Sequence, residues 1–153
     1  MRLIAVTHRK VTTMNGIVAL KAFLIFAPIM SLGSAYSNKS NYAGDPLFES
    51  AHLYAQISLS LVAVTAALCW VAAYRISSEK ARLSVTFTIW TLWIYGPILN
   101  VVLLLLIPTL LFRPFDVSPV LPALVGATIR DVLIDGGFTW YLLRSSYIRE
   151  QYR

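Results

Sequence analysis

Apolar residues fall into four long blocks, parted by short polar stretches. A membrane-crossing helix needs about 20 mostly apolar residues. Four segments meet that length, at about 15–36, 53–74, 83–112 and 117–143. The first contains Pro28, and the second carries no charge. The third is long and holds Pro97 and Pro108. Each proline removes a backbone donor, which predicts a tilted or kinked helix. Residues 37–52 form the longest connection, and "SNKSNYAGDP" within it is turn chemistry. There Asp45-Pro46 predicts a short amphipathic helix, capped by Asp45, that leads into the second block. The expected fold class is all-α: an integral membrane four-helix bundle, residues 1–153 forming a single membrane domain.

Composition agrees with that pattern. The chain is 58% hydrophobic and 13% charged, where a soluble domain averages about 25% charged. Mean hydropathy is +0.68. The net charge of +6 does not mark a nucleic-acid surface, because the basic residues sit between apolar blocks. Cys69 is the single cysteine and lies inside the second block. It excludes a disulfide within the chain and reads as a small buried hydrophobe.

Basic residues set the expected orientation. Arg2, Arg9, Lys10 and Lys21 belong to the first end of the first block. Arg75, Lys80 and Arg82 lie between the second and third, and Arg144, Arg149 and Arg153 follow the fourth. The opposite side has only Lys39 and Arg113. Both termini are therefore expected in the cytoplasm, with Lys21 snorkelling to the surface. Tyr36, Tyr54 and Phe112 on the outside, and Trp70, Tyr74 and Tyr141 on the inside, fit interfacial anchors. A second reading makes the first block a secretory signal cleaved near Gly33, Ser34 and Ala35. The long leader and the charge of Lys21 speak against it.

The fourth block raises the chemical question. "IRDVLIDGG", 129–137, places Arg130, Asp131 and Asp135 within apolar surroundings. A charge at the centre of a span costs about 2.5–3.5 kcal/mol on insertion scales. On a wheel of about 100° per residue, these three share one broad side with Ala123, Ala127, Thr128 and Thr139. That side is expected to face other helices or a wet cavity. Asp131 and Asp135 form an i, i+4 pair of like sign, which do not both ionise freely in low dielectric. One carboxyl stays protonated, or a cation sits between them, or Arg130 neutralises one. Partners at similar depth are Asn100 and the Gly96-Pro97 step, where Pro97 deprives the Trp93 carbonyl of its donor. The cluster of Arg130, Asp131, Asp135 and Asn100 is thus either a lock between helices or an ion pathway.

Other chemistry is missing from the sequence. His8 and His52 are far apart and expected on opposite sides, so no metal site is expected. No phosphate loop, nucleophile elbow or zinc-binding helix motif occurs. Gly136-Gly137 reads as close helix packing or a local bend. An intramembrane protease would need a Ser–His pair or two aspartates on different spans, and Asp131 and Asp135 share one. The chain is expected to be non-enzymatic and without a cofactor.

The tail "TWYLLRSSYIREQY", 139–152, resembles the end of the DUF2569 family of small bacterial four-span membrane proteins. Tyr141, Leu142, Arg144, Ser145, Ile148, Arg149 and Tyr152 follow its Tyr–apolar–basic–Ser–aliphatic–basic–aromatic run. Arg130 stands for an arginine earlier in that helix, and "NGIVALKAFLIFAPI" is similar to the family's opening. Phe138, Trp140, Ser146, Tyr147 and Lys21 depart from the pattern. The resemblance implies four spans in a bacterial inner membrane and implies no activity. The expected partners are the lipid bilayer and a homo-oligomer or larger membrane complex, not nucleic acid. The small pairs Ala63–Ala67 and Ala123–Ala127 motivate the association. The expected role is an accessory or self-associating membrane protein. The alternative is a small proton- or cation-coupled transporter or channel using the fourth block.

Overall fold

The computed structural model describes residues 2–41, 48–112, 116–118 and 120–152. Side-chain surroundings are described for all of these except 2–15, 38–41, 48–50 and 147. Every element among the described residues is helical. Helix α1 is Arg2–Asn41 and α2 is Phe48–Ser78. Helix α3, Arg82–Leu111, is interrupted by two π-bulges. Helix α4 is Leu121–Arg144 and the short α5 is Ser146–Gln151. Among the described residues three stretches are long and apolar enough to cross a membrane: Gly16–Ser37, Ala51–Ser78 and Arg82–Leu111. The sequence pattern gives four; α4 has the length but carries Arg130, Asp131 and Asp135.

The connection after α1 is shorter than its composition suggests. Helix runs through Asn41 and resumes at Phe48. Asp45 and Pro46, read as a cap, lie outside the described residues, as does Arg113. Helix α4 begins where proline costs least. Pro122 falls in its first turn, where the missing N–H has no partner to lose.

The helices α1 and α2, α2 and α3, and α3 and α4 pack as neighbours. Helices α4 and α1 touch through a few side chains: Phe138 lies against Phe23, ring centroids 5.4 Å apart. At Gly16 there is no room for even a methyl group, because the Tyr141 ring would sit 2.6–2.9 Å from an added Cβ. Trp70 of α2 donates its indole N–H to the Ile25 carbonyl of α1 at 3.3 Å.

Large apolar side chains cover the outside. Phe26, Met30, Leu83, Trp90, Leu133 and Leu143 are all exposed. Soluble monomers rarely expose apolar patches beyond a few hundred Å², so this surface suits hydrocarbon. Buried hydroxyls avoid the cost of an empty interior by turning back on their own helix. Thr65 bonds the Leu61 carbonyl, Thr88 that of Ser84 and Thr91 that of Phe87, at 2.8–2.9 Å.

The packed core lies at one end. Leu20, Leu24, Cys69, Ile76, Leu92 and Leu142 are among its buried residues. At this end Ser145 takes an extended conformation, ψ 122°, and turns α5 back beneath the bundle. Ile148 and Tyr152 then enter the core. The Tyr152 hydroxyl donates to the Ile76 carbonyl, one of the groups near the α2 terminus that lack a following turn. Tyr152→Phe would leave that carbonyl buried and unpaired, a loss of about 1–3 kcal/mol. Thermal unfolding in a neutral detergent should show it as an earlier midpoint with an unchanged helical spectrum.

A small polar clasp fixes the turn between α2 and α3. Arg75 Nε and Ser84 Oγ both donate to Glu79, at 2.8 and 2.9 Å. The Arg75 guanidinium also lies over the Phe87 ring, 5.4 Å from its centroid. Arg75 and then Ser84 hold the Glu79 carboxyl below its usual range. A lowered carboxylate pKa stabilises the fold above the unfolded value and ceases to do so as pH falls through the folded one. A small melting difference between the parent and Glu79→Gln should therefore exist at neutral pH and shrink progressively once pH falls below about 4.

Candidate functional site

Helix α3 shapes the site, and its two prolines explain its form. A π-bulge spans Ile94–Ile98, and the Leu99 N–H reaches back five residues to the Ile94 carbonyl. With bonding shifted to i→i+5, a carbonyl facing Pro97 finds a donor one residue later. The gap expected at Trp93 is thus absorbed within α3 and does not serve as a partner for α4. A second bulge spans Val102–Leu106, where the Ile107 N–H takes the Val102 carbonyl. The Leu103 carbonyl is left facing Ile107, already used, and Pro108, which has no N–H. Tyr54 of α2 supplies the donor through its hydroxyl, at 3.0 Å. Tyr54, expected as an interfacial anchor, thus also bonds two helices together. Tyr141, packed on Gly16, likewise faces inward.

The end of the bundle away from α5 is hollow. A cavity of about 630 Å³ is bounded by all four long helices. Phe23 and Ser31 of α1, Ser58 of α2, Tyr95 and Asn100 of α3, and Asp135 of α4 are part of its wall. Its floor is the packed core at the α5 end. The molecule is a cup, solid in one half and open in the other.

The structure brings Asn100, Arg130 and Asp131 together directly. Asn100 Nδ2 donates to Asp131 Oδ2 at 2.5 Å, and Arg130 Nε donates to Asp131 Oδ1 at 2.8 Å. Both oxygens of Asp131 are thus occupied, and its charge is matched by Arg130. Arg130 does not point fully inward as expected: its side chain is 67% exposed, against 15% for Asp131. It sits on the rim and folds back on its neighbour. The inward side of α4 is narrower than the wheel indicated, because Ala123 is exposed along with Arg130.

Asp135 stands apart. It is 1% exposed, and Oδ2 has no hydrogen-bond partner among the described residues. Its place exists because residue 96 is glycine. A Cβ added at Gly96 would overlap Oδ2 and lie 3.2 Å from the Asp135 Cγ. A second polar atom in the wall, Ser58 Oγ, is also buried without a partner. Buried polar groups in proteins are almost always paired, so two orphans in one cavity point to a ligand or water. No group of three or more His, Cys, Asp or Glu that could hold a metal occurs among the described residues.

Several members of the wall escaped the sequence reading. Tyr95 shares a 2.7 Å hydrogen bond with Ser31, which holds its ring against the edge of Phe23. Trp93 Nε1 donates to Thr139 Oγ1 at 3.2 Å, tying α3 to α4. Gly96 was noted only as the neighbour of a proline. By contrast Gly136 and Gly137, read as close packing or a local bend, have nothing within 4 Å of an added Cβ. Ala63 and Ala67 are likewise exposed on α2.

No protein-family model, curated protein or solved structure matches the chain.

Proposed function

We propose that this is a four-span protein of the bacterial cytoplasmic membrane that moves a proton or small cation through its cup, exchanging it at Asp135. The fourth span is α4, whose charges are met by Asn100, by one another and by the cavity. Both termini lie in the cytoplasm, on the strength of the basic residues at the α5 end. The cup then opens outward and the packed half faces inward. The resemblance of the tail to the DUF2569 family supports the span count and the bacterial setting.

One observation carries this reading: the buried carboxyl of Asp135, one oxygen of which has no partner among the described residues, belongs to the wall of a large cavity. Charged residues inside a bilayer mark ion or substrate pathways by default. A lock between helices accounts for Asp131, which is fully bonded, and leaves Asp135 unexplained. The groups close enough to feel the Asp135 charge are Asp131 on its own helix, Tyr95 on α3 and Cys69 on α2.

Purified protein in sealed vesicles carrying an internal pH dye tests the proposal. An imposed pH gradient should collapse faster than in empty vesicles. Equal decay in the two would overturn it.

The accessory role remains as a second reading, favoured by the exposure of Ala63 and Ala67 on one face of α2. Small residues at that spacing let helices from two chains approach closely. Cysteine placed at 63 should crosslink two copies in membranes. A single-chain band under oxidant would remove self-association through this face.

A further inference from the structure

We infer that the cup binds a monovalent organic cation, an amine with an apolar body, with its ammonium at Asp135. The inference deepens the transport reading and rests on Asp135 being the exchangeable group.

Charge comes first. Asp131 is bonded by Arg130 and Asn100, so it offers no free oxygen and no net charge. Among the described residues of the wall, Asp135 is the carboxyl left unmatched. The cup therefore balances a single positive charge, not two.

Donor count comes second. A hard metal ion takes about six to eight oxygen ligands. Among the described residues of the wall, the buried oxygens without a partner are Asp135 Oδ2 and Ser58 Oγ, far short of that number. An ammonium needs only a carboxylate and one or two acceptors, because carbon covers the rest of it.

Shape comes third. A volume of about 630 Å³ is far larger than a bare ion and falls in the range of small-molecule sites. The wall beside Asp135 supplies aromatic faces. Phe23 and Tyr95 meet edge to face at 6.4 Å, and the Tyr95 ring is steadied by Ser31. Ring faces attract cations, more strongly once water is excluded. Met30, Val62 and Leu103 add apolar wall for the rest of the ligand. Met adapts its shape to different occupants.

Titration of the full chain in dodecyl maltoside with N,N-dimethylbenzylammonium chloride, followed by calorimetry, tests the inference. The parent should bind saturably at one site per chain. Asp135→Asn should weaken binding at least tenfold. Tyr95→Leu should weaken it severalfold, while Tyr95→Phe, which keeps the ring, should stay within twofold. Sodium, potassium and magnesium chlorides at equal concentration should not compete. Helical spectra and gel-filtration profiles identify any variant that fails to fold, and Tyr95→Phe with the salt competition still decides the matter if one does. No binding, binding indifferent to Asp135→Asn, or displacement by a metal ion would overturn the inference. Absent amine binding beside a protein-dependent pH decay would sink the amine and spare the transport reading. Amine binding without that decay would do the reverse.

Discussion

Replacing Gly96 with alanine should cost the protein its deep carboxyl. A methyl group at this position overlaps Asp135 Oδ2 and crowds Asp131 Cβ at 3.3 Å. Either Asp135 swings out of its place or α3 and α4 move apart. Overpacking of this kind costs about 1–3 kcal/mol. Alanine is otherwise the better helix former by about 1 kcal/mol, so a loss in stability isolates the contact. Gly136 is the natural comparison. It lies in α4 with nothing within 4 Å of an added Cβ, and Gly136→Ala should be neutral or mildly stabilising. Thermal unfolding of both variants, with amine titration of each, checks the pair. If Gly96→Ala melts with the parent and binds as well, the juxtaposition of α3 and α4 described above is wrong.

Asp135→Asn should separate activity from stability. The amide keeps the size of the carboxyl, so the fit beside Gly96 survives. It cannot release a proton, and it carries no charge to balance a cation. Protein-dependent decay of a pH gradient should fall to the level of empty vesicles. The unfolding midpoint should not drop, because a neutral side chain is cheaper to keep in a low-dielectric interior than an unpaired carboxylate. Functional sites commonly trade stability for activity in this way. Normal decay in the variant would remove Asp135 from the pathway. A large loss of stability would return it to a structural role.

Much of the helical layout was legible in the pattern of apolar blocks. Each block lies within or close to a helix, because an unbroken run of apolar residues leaves the backbone little choice but to bond to itself. The helices reach further: α1 starts at Arg2, well before the block at 15, and α2 outruns its block at both ends. Composition was less informative at the first connection, where "SNKSN" reads as loop yet Ser37 through Asn41 are helical. Turn-forming residues weaken a helix by tenths of a kcal/mol each, and a long helix already propagating can absorb that.

The site was half legible. Arg130, Asp131 and Asp135 announce themselves by charge, and Asn100 was the one amide at matching depth. Tyr95, Ser31 and Ser58 gave no such signal, since hydroxyls are common in apolar helices and usually bond to their own backbone. The wheel also misled. A side chain as long as that of Arg130 reaches its neighbour from the rim, so angle alone does not tell which residues face inward. In α3 each π-bulge takes one residue out of the 3.6-residue repeat. Faces read on one side of 94–98 do not carry over to the other, which hid the meeting of Gly96 with Asp135.

Within hydrocarbon an amide or carbonyl has no water to fall back on. Helix α3 meets that rule by detour: two stretches of i→i+5 bonding and one hydroxyl borrowed from α2. The hollow half of the molecule thus owes its wall to two imino acids, at positions 97 and 108. A chain with alanine at both would recover the ordinary ladder, and the Leu103 oxygen would have a donor of its own. Tyr54 would then be set loose, and with it one of the ties that keep α2 and α3 standing at the mouth.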